Sequence, residues 1–324
     1  MQCTMNSRGQ CKVNTGWNYM AIQWYPGHMH KARKKIKESM PQIDIVIEVL
    51  DARIPYSSEN PLVDQLRGNR PCIKLLNKSD LADPVVTKRW QHYFEREKGV
   101  KAIPIVAEKK GEARQLIQKI SREAKTMLGD RNLKLKPARI MILGIPNVGK
   151  STLMNSLAGK VLAKVGNEPA ITKAQQNIRL ADGISLSDTP GMLWPKVEDE
   201  DSGYRLAVTG AIKNTAIEFE DVALYAADYF LKHHPDAMLK RYKLKQLPKD
   251  GVALLEEIGR RRGALRAGGH VDLHKASEAL LKEYRGGMLG RISLETPEMV
   301  EAAKATRAAE RVAKLNEGAE TDLP

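Results

Sequence analysis

The chain has 324 residues, 42% hydrophobic and 28% charged, with 53 Lys and Arg against 39 Asp and Glu, a formal charge of +14. This is enough for two domains with a buried core, and the excess of positive charge points to a polyanionic partner, RNA rather than DNA. The three cysteines, Cys3, Cys11 and Cys72, form neither a disulfide framework nor a metal-ligand spacing, no apolar run is long enough to span a bilayer, and the N-terminus lacks the apolar core of a signal peptide, so a cytoplasmic protein independent of membranes is expected.

Residues 1–21 are polar and aperiodic and read as a disordered extension or a mis-assigned start, with Met20 as a natural beginning. After Trp24-Tyr25-Pro26-Gly27-His28-Met29, a helix is expected from about Lys31 to Met40. Its cluster of Lys31, Arg33, Lys34, Lys35 and Lys37 suits either a solvated face or phosphate contact. A strand over Ile43–Leu50 ends at Asp51, and Asp51-Ala52-Arg53 opens a loop where open α/β sheets place ligands. Arg53 reads as a structural partner of Asp51, with a role in the site as the alternative. A short helix follows at Pro61–Arg67, then a strand at Cys72–Leu76. Asp83-Pro84 starts a helix running to about Lys98. Lys101–Ile105 forms a strand, Gly111–Leu128 a helix, and residues 129–137 a basic connector.

The stretch Ala138–Leu143 is a buried strand leading into Gly144-Ile145-Pro146-Asn147-Val148-Gly149-Lys150-Ser151, with Thr152 opening the helix beyond. This is a phosphate-binding loop in its strand–loop–helix setting. The glycines let successive N–H groups turn inward, so that the backbone of Gly144, Pro146, Asn147, Val148, Gly149 and Thr152 lines a phosphate cradle at the positive end of the helix. Lys150 would reach the outer phosphates and Ser151 would hold Mg²⁺. Asn77-Lys78-Ser79-Asp80 stands at a strand end and reads guanine. The Asp80 carboxylate matches the paired donors on guanine's edge, which adenine lacks. Lys78 lies along the base plane, and Asn77 ties this loop to the phosphate loop. Asp188-Thr189-Pro190-Gly191 ends a hairpin built from Asn177–Leu180 and Gly183–Ser187. Asp188 would bind Mg²⁺ through water and the Gly191 amide would sense the γ-phosphate.

The base-reading motif precedes the phosphate loop, whereas most GTPases have the reverse order, so the chain is circularly permuted. Together with Trp24–Met29, Asp51-Ala52-Arg53-Ile54-Pro55, Arg266-Ala267-Gly268-Gly269 and Gly290-Arg291-Ile292, these motifs make the chain resemble circularly permuted ribosome-assembly GTPases of the RbgA/YlqF type, over roughly Ile22 to Leu294. The resemblance implies a P-loop α/β sheet with helices on both faces over residues 22–198. It also implies an all-α RNA-binding domain over 199–292, and residues 293–324 read as an acidic, Ala-rich tail in a loose helix. Ala170-Ile171-Thr172-Lys173 resembles the family's first-switch pattern, which would make Thr172 a Mg²⁺ ligand in the GTP state. The Ala107 amide would meet guanine O6, and Asn147 stands where potassium-stimulated relatives help bind K⁺. Met192 and Leu193 occupy the place of the usual water-orienting Gln. The resemblance and imidazole chemistry both nominate His28 as the catalytic group.

From about Ser202 the pattern is helical and basic. Lys240, Arg241, Lys243, Lys245, Arg260, Arg261, Arg262 and Arg266 are the expected RNA contacts. His270 and His274 have i, i+4 spacing but lack the intervening acid of a zinc helix, so a metal is not expected there. The family implies late maturation of the large ribosomal subunit, with release on GTP hydrolysis. The alternatives are a GTPase acting on another RNA and an RNA-binding module holding GTP as a structural ligand.

Overall fold

A computed structural model describes residues 3–5, 11–13, 28–108, 113–129, 132–133, 136–158, 177–180, 184–188, 200–212 and 218–321. Two short strands, β1 (Cys3–Met5) and β2 (Cys11–Val13), pair antiparallel within the segment whose sequence promised no regular structure. Helix α1 (His28–Ser39) begins at His28 rather than near Lys31. The helix-breaking Pro26-Gly27 pair lies immediately before it, so nothing between His28 and Lys31 opposes helical backbone.

The sheet is built from β3 (Ile45–Asp51), β4 (Cys72–Asn77), β5 (Val100–Pro104), β6 (Ala138–Leu143), β7 (Asn177–Leu180) and β8 (Ile184–Asp188). Its spatial order is β5-β4-β3-β6-β8-β7. Five strands are parallel, and β7 pairs antiparallel to β8 as the expected hairpin. Every residue of β3 and β4 is buried, as expected for near-continuous apolar runs covered on both faces. Helices α2 (Pro61–Arg67), α3 (Pro84–Phe94), α4 (Ala113–Leu128) and α5 (Lys150–Ala158) provide that cover. Asp83 caps α3 by accepting from Val85 N at 2.7 Å and Val86 N at 3.1 Å.

Alternation along the strands divides the core in two. Ile45, Ile47, Val49, Ile140 and Ile142 face one way, with Ile120 of α4 and Leu153 of α5. Val46, Leu50, Met141 and Leu143 face the other, with Ile36 of α1 and Trp90 and Phe94 of α3. The first core continues into the C-terminal helices α6 (Glu200–Thr209), α7 (Phe219–His233), α8 (Pro235–Tyr242), α9 (Gly251–Arg262) and α10 (Leu273–Arg285). The helical C-terminal region is therefore continuous with the sheet's packing.

The stretch after α10 is helical, as expected of the acidic tail, but its beginning is anchored to the rest of the chain. Ser293, Leu294 and Glu295 are buried, and α11 (Pro297–Thr321) sends Val300 into the second core. Leu294 N donates to Arg53 O at 2.9 Å and Ile292 N to Leu81 O at 3.0 Å. The Glu295 carboxylate accepts from the amides of Tyr56 and Ser57, at 2.5 and 3.0 Å. Segment composition averages over the acidic outer face of α11, where Glu301 pairs with Arg96 at 2.9 Å, and misses the apolar inner face.

Candidate nucleotide site

The phosphate loop joins β6 to α5 at the carboxyl end of the sheet. Two of its glycines are dictated by space as well as by backbone. Gly144 has φ +146° and a Cβ there would lie 2.6 Å from Val49 O; Gly149 has φ +100° and a Cβ would lie 2.2 Å from Asn77 Nδ2. Asn147 takes the left-handed conformation at φ 59°, which asparagine tolerates better than most residues. Lys150 opens α5 and folds back over the loop, its Nζ donating to Ile145 O at 3.1 Å. Ser151 and Thr152 occupy the first turn of α5, with Pro146 and Val148 buried beneath the loop.

The base-reading loop leaves β4, the strand next but one to β6. Asn77 Nδ2 donates to Val148 O at 2.7 Å, and Asn77 Oδ1 accepts from Ala107 N at 2.9 Å. One carboxamide thus joins the phosphate loop, the base-reading loop and the loop after β5. Ser156 of α5 closes the ring by donating to Ala107 O at 2.7 Å. Lys78, itself left-handed at φ 60°, donates from Nζ to Asn147 O at 3.0 Å. Asp80 is exposed at the loop's tip, where a base carrying paired donors can approach.

Asp188 ends β8 opposite Ile142 of β6, beside the phosphate loop's strand. Its side chain lies outside the described residues, as do Thr172, Gly191 and the His28 imidazole, although His28 itself begins α1.

Sequence reasoning missed two connections. Asn147 Nδ2 donates to Gly210 O at 3.0 Å, in the turn after α6. Gly210 also packs against Arg285, which donates to Val208 O at 2.9 Å and Ala207 O at 2.8 Å. A contact to a backbone carbonyl leaves no signature in sequence. The second connection runs from Asp51, buried and paired with Arg53 as expected, on to Lys78 at 3.0 Å. Burial alone would raise its carboxyl, but Arg53 and Lys78 hold it well below the usual carboxylate range. The signal available was a lone carboxylate at the carboxyl end of a strand bordering the phosphate loop's strand.

The basic residues divide into two groups. Lys240, Lys243 and Lys245 are exposed and make no ion pair among the described residues. Arg241 pairs with Glu283 at 2.7 Å, and Arg262 pairs with the same carboxylate. Arg260 pairs with Glu256 at 2.9 Å and Glu257 at 3.0 Å, Arg261 with Glu257 at 3.5 Å, and Arg266 with Asp272 at 3.3 Å. His274 bonds Glu220 at 2.8 Å, and no group of three metal-ligating side chains occurs among the described residues.

A parallel sheet with a phosphate loop on β6, a base-reading loop on β4 and one asparagine joining them defines a circularly permuted P-loop GTPase. Residues 139–255 match the family model described as 50S ribosome-binding GTPase. The chain is 46% identical to Ribosome biogenesis GTPase A of Bacillus cereus, over 86% of this chain and 95% of that one. It also matches two solved structures at 29% identity. GDP-bound TM YlqF aligns with a TM-score of 0.60 over 82% of this chain and 99% of that one. GNP-bound YlqF from T. maritima aligns with a TM-score of 0.59 over 83% and 99%. The chain belongs to the ribosome biogenesis GTPase A family.

Proposed function

We propose that this GTPase is an assembly factor for the large ribosomal subunit that docks on rRNA in its GTP form and leaves after hydrolysis. The observation that supports this most directly is the pairing of two surfaces in one packed unit. Asn77 ties the base loop to the phosphate loop at 2.7 Å. The exposed lysines Lys240, at the end of α8, and Lys243 and Lys245, in the turn that follows it, belong to a helical region that shares the sheet's own core. Phosphate contacts of this kind position a protein on RNA without reading its sequence.

In this reading Lys150 and the amides of the phosphate loop neutralise the β- and γ-phosphates, Asp80 selects guanine, and Ala107 N, already bonded to Asn77, borders the base. The hydroxyl of Ser151, the Asp188 carboxylate through water and Thr172 would hold Mg²⁺, a hard ion suited to their oxygens, and it would offset the charge of the phosphates. Asn147 has its amide nitrogen engaged with Gly210 O, which leaves Oδ1 as its K⁺-binding atom. A leucine or methionine after Gly191 has no group with which to orient water, so the catalytic group comes from elsewhere in the chain or from a partner, and His28 is the candidate because an imidazole can accept from water and donate to the γ-phosphate.

The test is GTP turnover by wild type and His28→Ala, with and without purified large subunits. Strong stimulation of the wild type that disappears in His28→Ala, with GTP affinity kept, is the expected result. Stimulation that survives the substitution removes His28 from the mechanism. A wild type indifferent to large subunits overturns the ribosomal reading in favour of another RNA.

A further inference from the structure

Lys78 carries a flexible four-carbon stem on a left-handed backbone, a conformation that other residues must hold in place. Its ammonium has two partners among the described residues: Asn147 O of the phosphate loop and Asp51 Oδ2, each at 3.0 Å. A carboxylate held only by a lysine can swing. Asp51 cannot, because Arg53 grips both of its oxygens, Nε to Oδ1 at 2.9 Å and Nη2 to Oδ2 at 2.7 Å. Arg53 N adds a third bond to Oδ1 at 3.1 Å. The guanidinium is in turn fixed from above by the Tyr284 ring of α10, whose centroid lies 5.2 Å from Cζ. Tyr284 is itself anchored, its hydroxyl donating to Ile292 O at 3.3 Å.

An ion pair serving packing alone would be matched or bettered by apolar residues of similar volume. Here the cost of burial is retained in full: Arg53 is 1% exposed, and its Nη1 has no hydrogen-bond partner among the described residues. What the pair achieves is a fixed carboxylate plane under Lys78. We propose that Arg53 is a positioning residue for nucleotide binding, acting through Asp51 to hold the Lys78 side chain in the orientation the purine requires. The inference rests on the reading of Lys78 as the residue lying along the base.

A double-mutant cycle on the full chain tests it, with the Kd for fluorescent GDP as the readout and thermal unfolding followed in parallel. Arg53→Gln and Lys78→Ala are each expected to weaken binding about ten-fold, and the double variant to bind about as weakly as Lys78→Ala alone. Arg53→Lys keeps the buried charge without the two-point grip. It should recover part of the loss, and it replaces Arg53→Gln in the cycle if that variant does not fold. Losses that multiply to about a hundred-fold in the double variant would show independent roles and overturn the proposal. So would an Arg53 variant of lowered melting temperature but unchanged Kd, the mark of a purely structural residue. An unchanged Kd for Lys78→Ala would overturn the base-reading role of Lys78 itself, which separates that failure from the other two.

Discussion

At the carboxyl end of β3, Arg53 holds Asp51 at 2.7 Å with both side chains 2% exposed; on α9, Arg260 holds Glu256 at 2.9 Å with 55% and 43% of those side chains open to water. The separations are nearly the same and the consequences differ. In the first case each charge has lost its water, and removing one partner strands the other at a cost of about 3–5 kcal/mol. In the second, water substitutes for either partner and the pair contributes about 0.2–1 kcal/mol. Buried pairs therefore fix geometry around the nucleotide loops. The exposed pairs on α9 are labile, and their arginines can exchange a glutamate for a phosphate at little cost. Ion pairing in the free protein therefore does not remove Arg260 and Arg261 from the RNA contacts proposed for them, whereas Arg262 is paired with the buried Glu283 and is held more firmly.

The sharpest way to break the buried side is Gly149→Ala. Its Cβ would enter the space of Asn77 Nδ2 at 2.2 Å, severing the bond that joins the two loops. GDP affinity should fall by roughly a hundred-fold or more, read by fluorescence titration. Next is Glu295→Ala, which leaves the amides of Tyr56 and Ser57 without their acceptor and takes from Arg205, 3.6 Å away, one of its carboxylates, Asp201 being the other. Urea denaturation should show a loss of about 3 kcal/mol, far more than for any single exposed pair.

A third experiment sharpens the comparison through pH. Lys74 is fully buried and shared by Glu48, at 3.0 Å, and Glu59. Two carboxylates facing one ammonium leave an excess negative charge in a dry setting. Burial, opposed by Lys74 and reinforced by Glu48, pushes the Glu59 carboxyl up to about 7 from 4.5. The folded state then binds more protons than the unfolded chain between those values, so this group's contribution to stability falls as pH rises from about 5 to about 7. Glu59→Gln should flatten that part of the pH profile, with the urea midpoint at each pH as the check. The smallest effect on stability belongs to Arg260→Ala combined with Arg261→Ala, within about 0.5 kcal/mol. The same variant should weaken RNA binding and reduce its salt dependence by about one unit of slope per arginine, the opposite balance from the buried pairs.

The motifs, their permuted order along the chain and the helical character of the region from about Ser202 were legible in the sequence, because each rests on local signals such as the strand run ending in Asn77-Lys78-Ser79-Asp80 and the Gly-rich turn before Lys150-Ser151. What was not legible lies between distant residues. Nothing near Gly210 announces that its carbonyl receives Asn147, and nothing near Glu295 announces that it accepts from the loop after β3. Arg53 fell between the two. Its pairing with Asp51 follows from adjacency, but the further contact from Asp51 to Lys78 needs the register of β3 against β4, in which Asp51 stands beside Asn77.

The place of Glu295 in the chain also orders events during synthesis. A growing polypeptide that has just completed α10 already carries every nucleotide-binding motif, yet the amides of Tyr56 and Ser57 still await the Glu295 carboxylate, which precedes α11. The loop after β3 is thus latched only by a segment that follows every one of those motifs in the chain, so a polypeptide that has reached α10 and one that has reached α11, alike in every motif, differ in how firmly that loop is held.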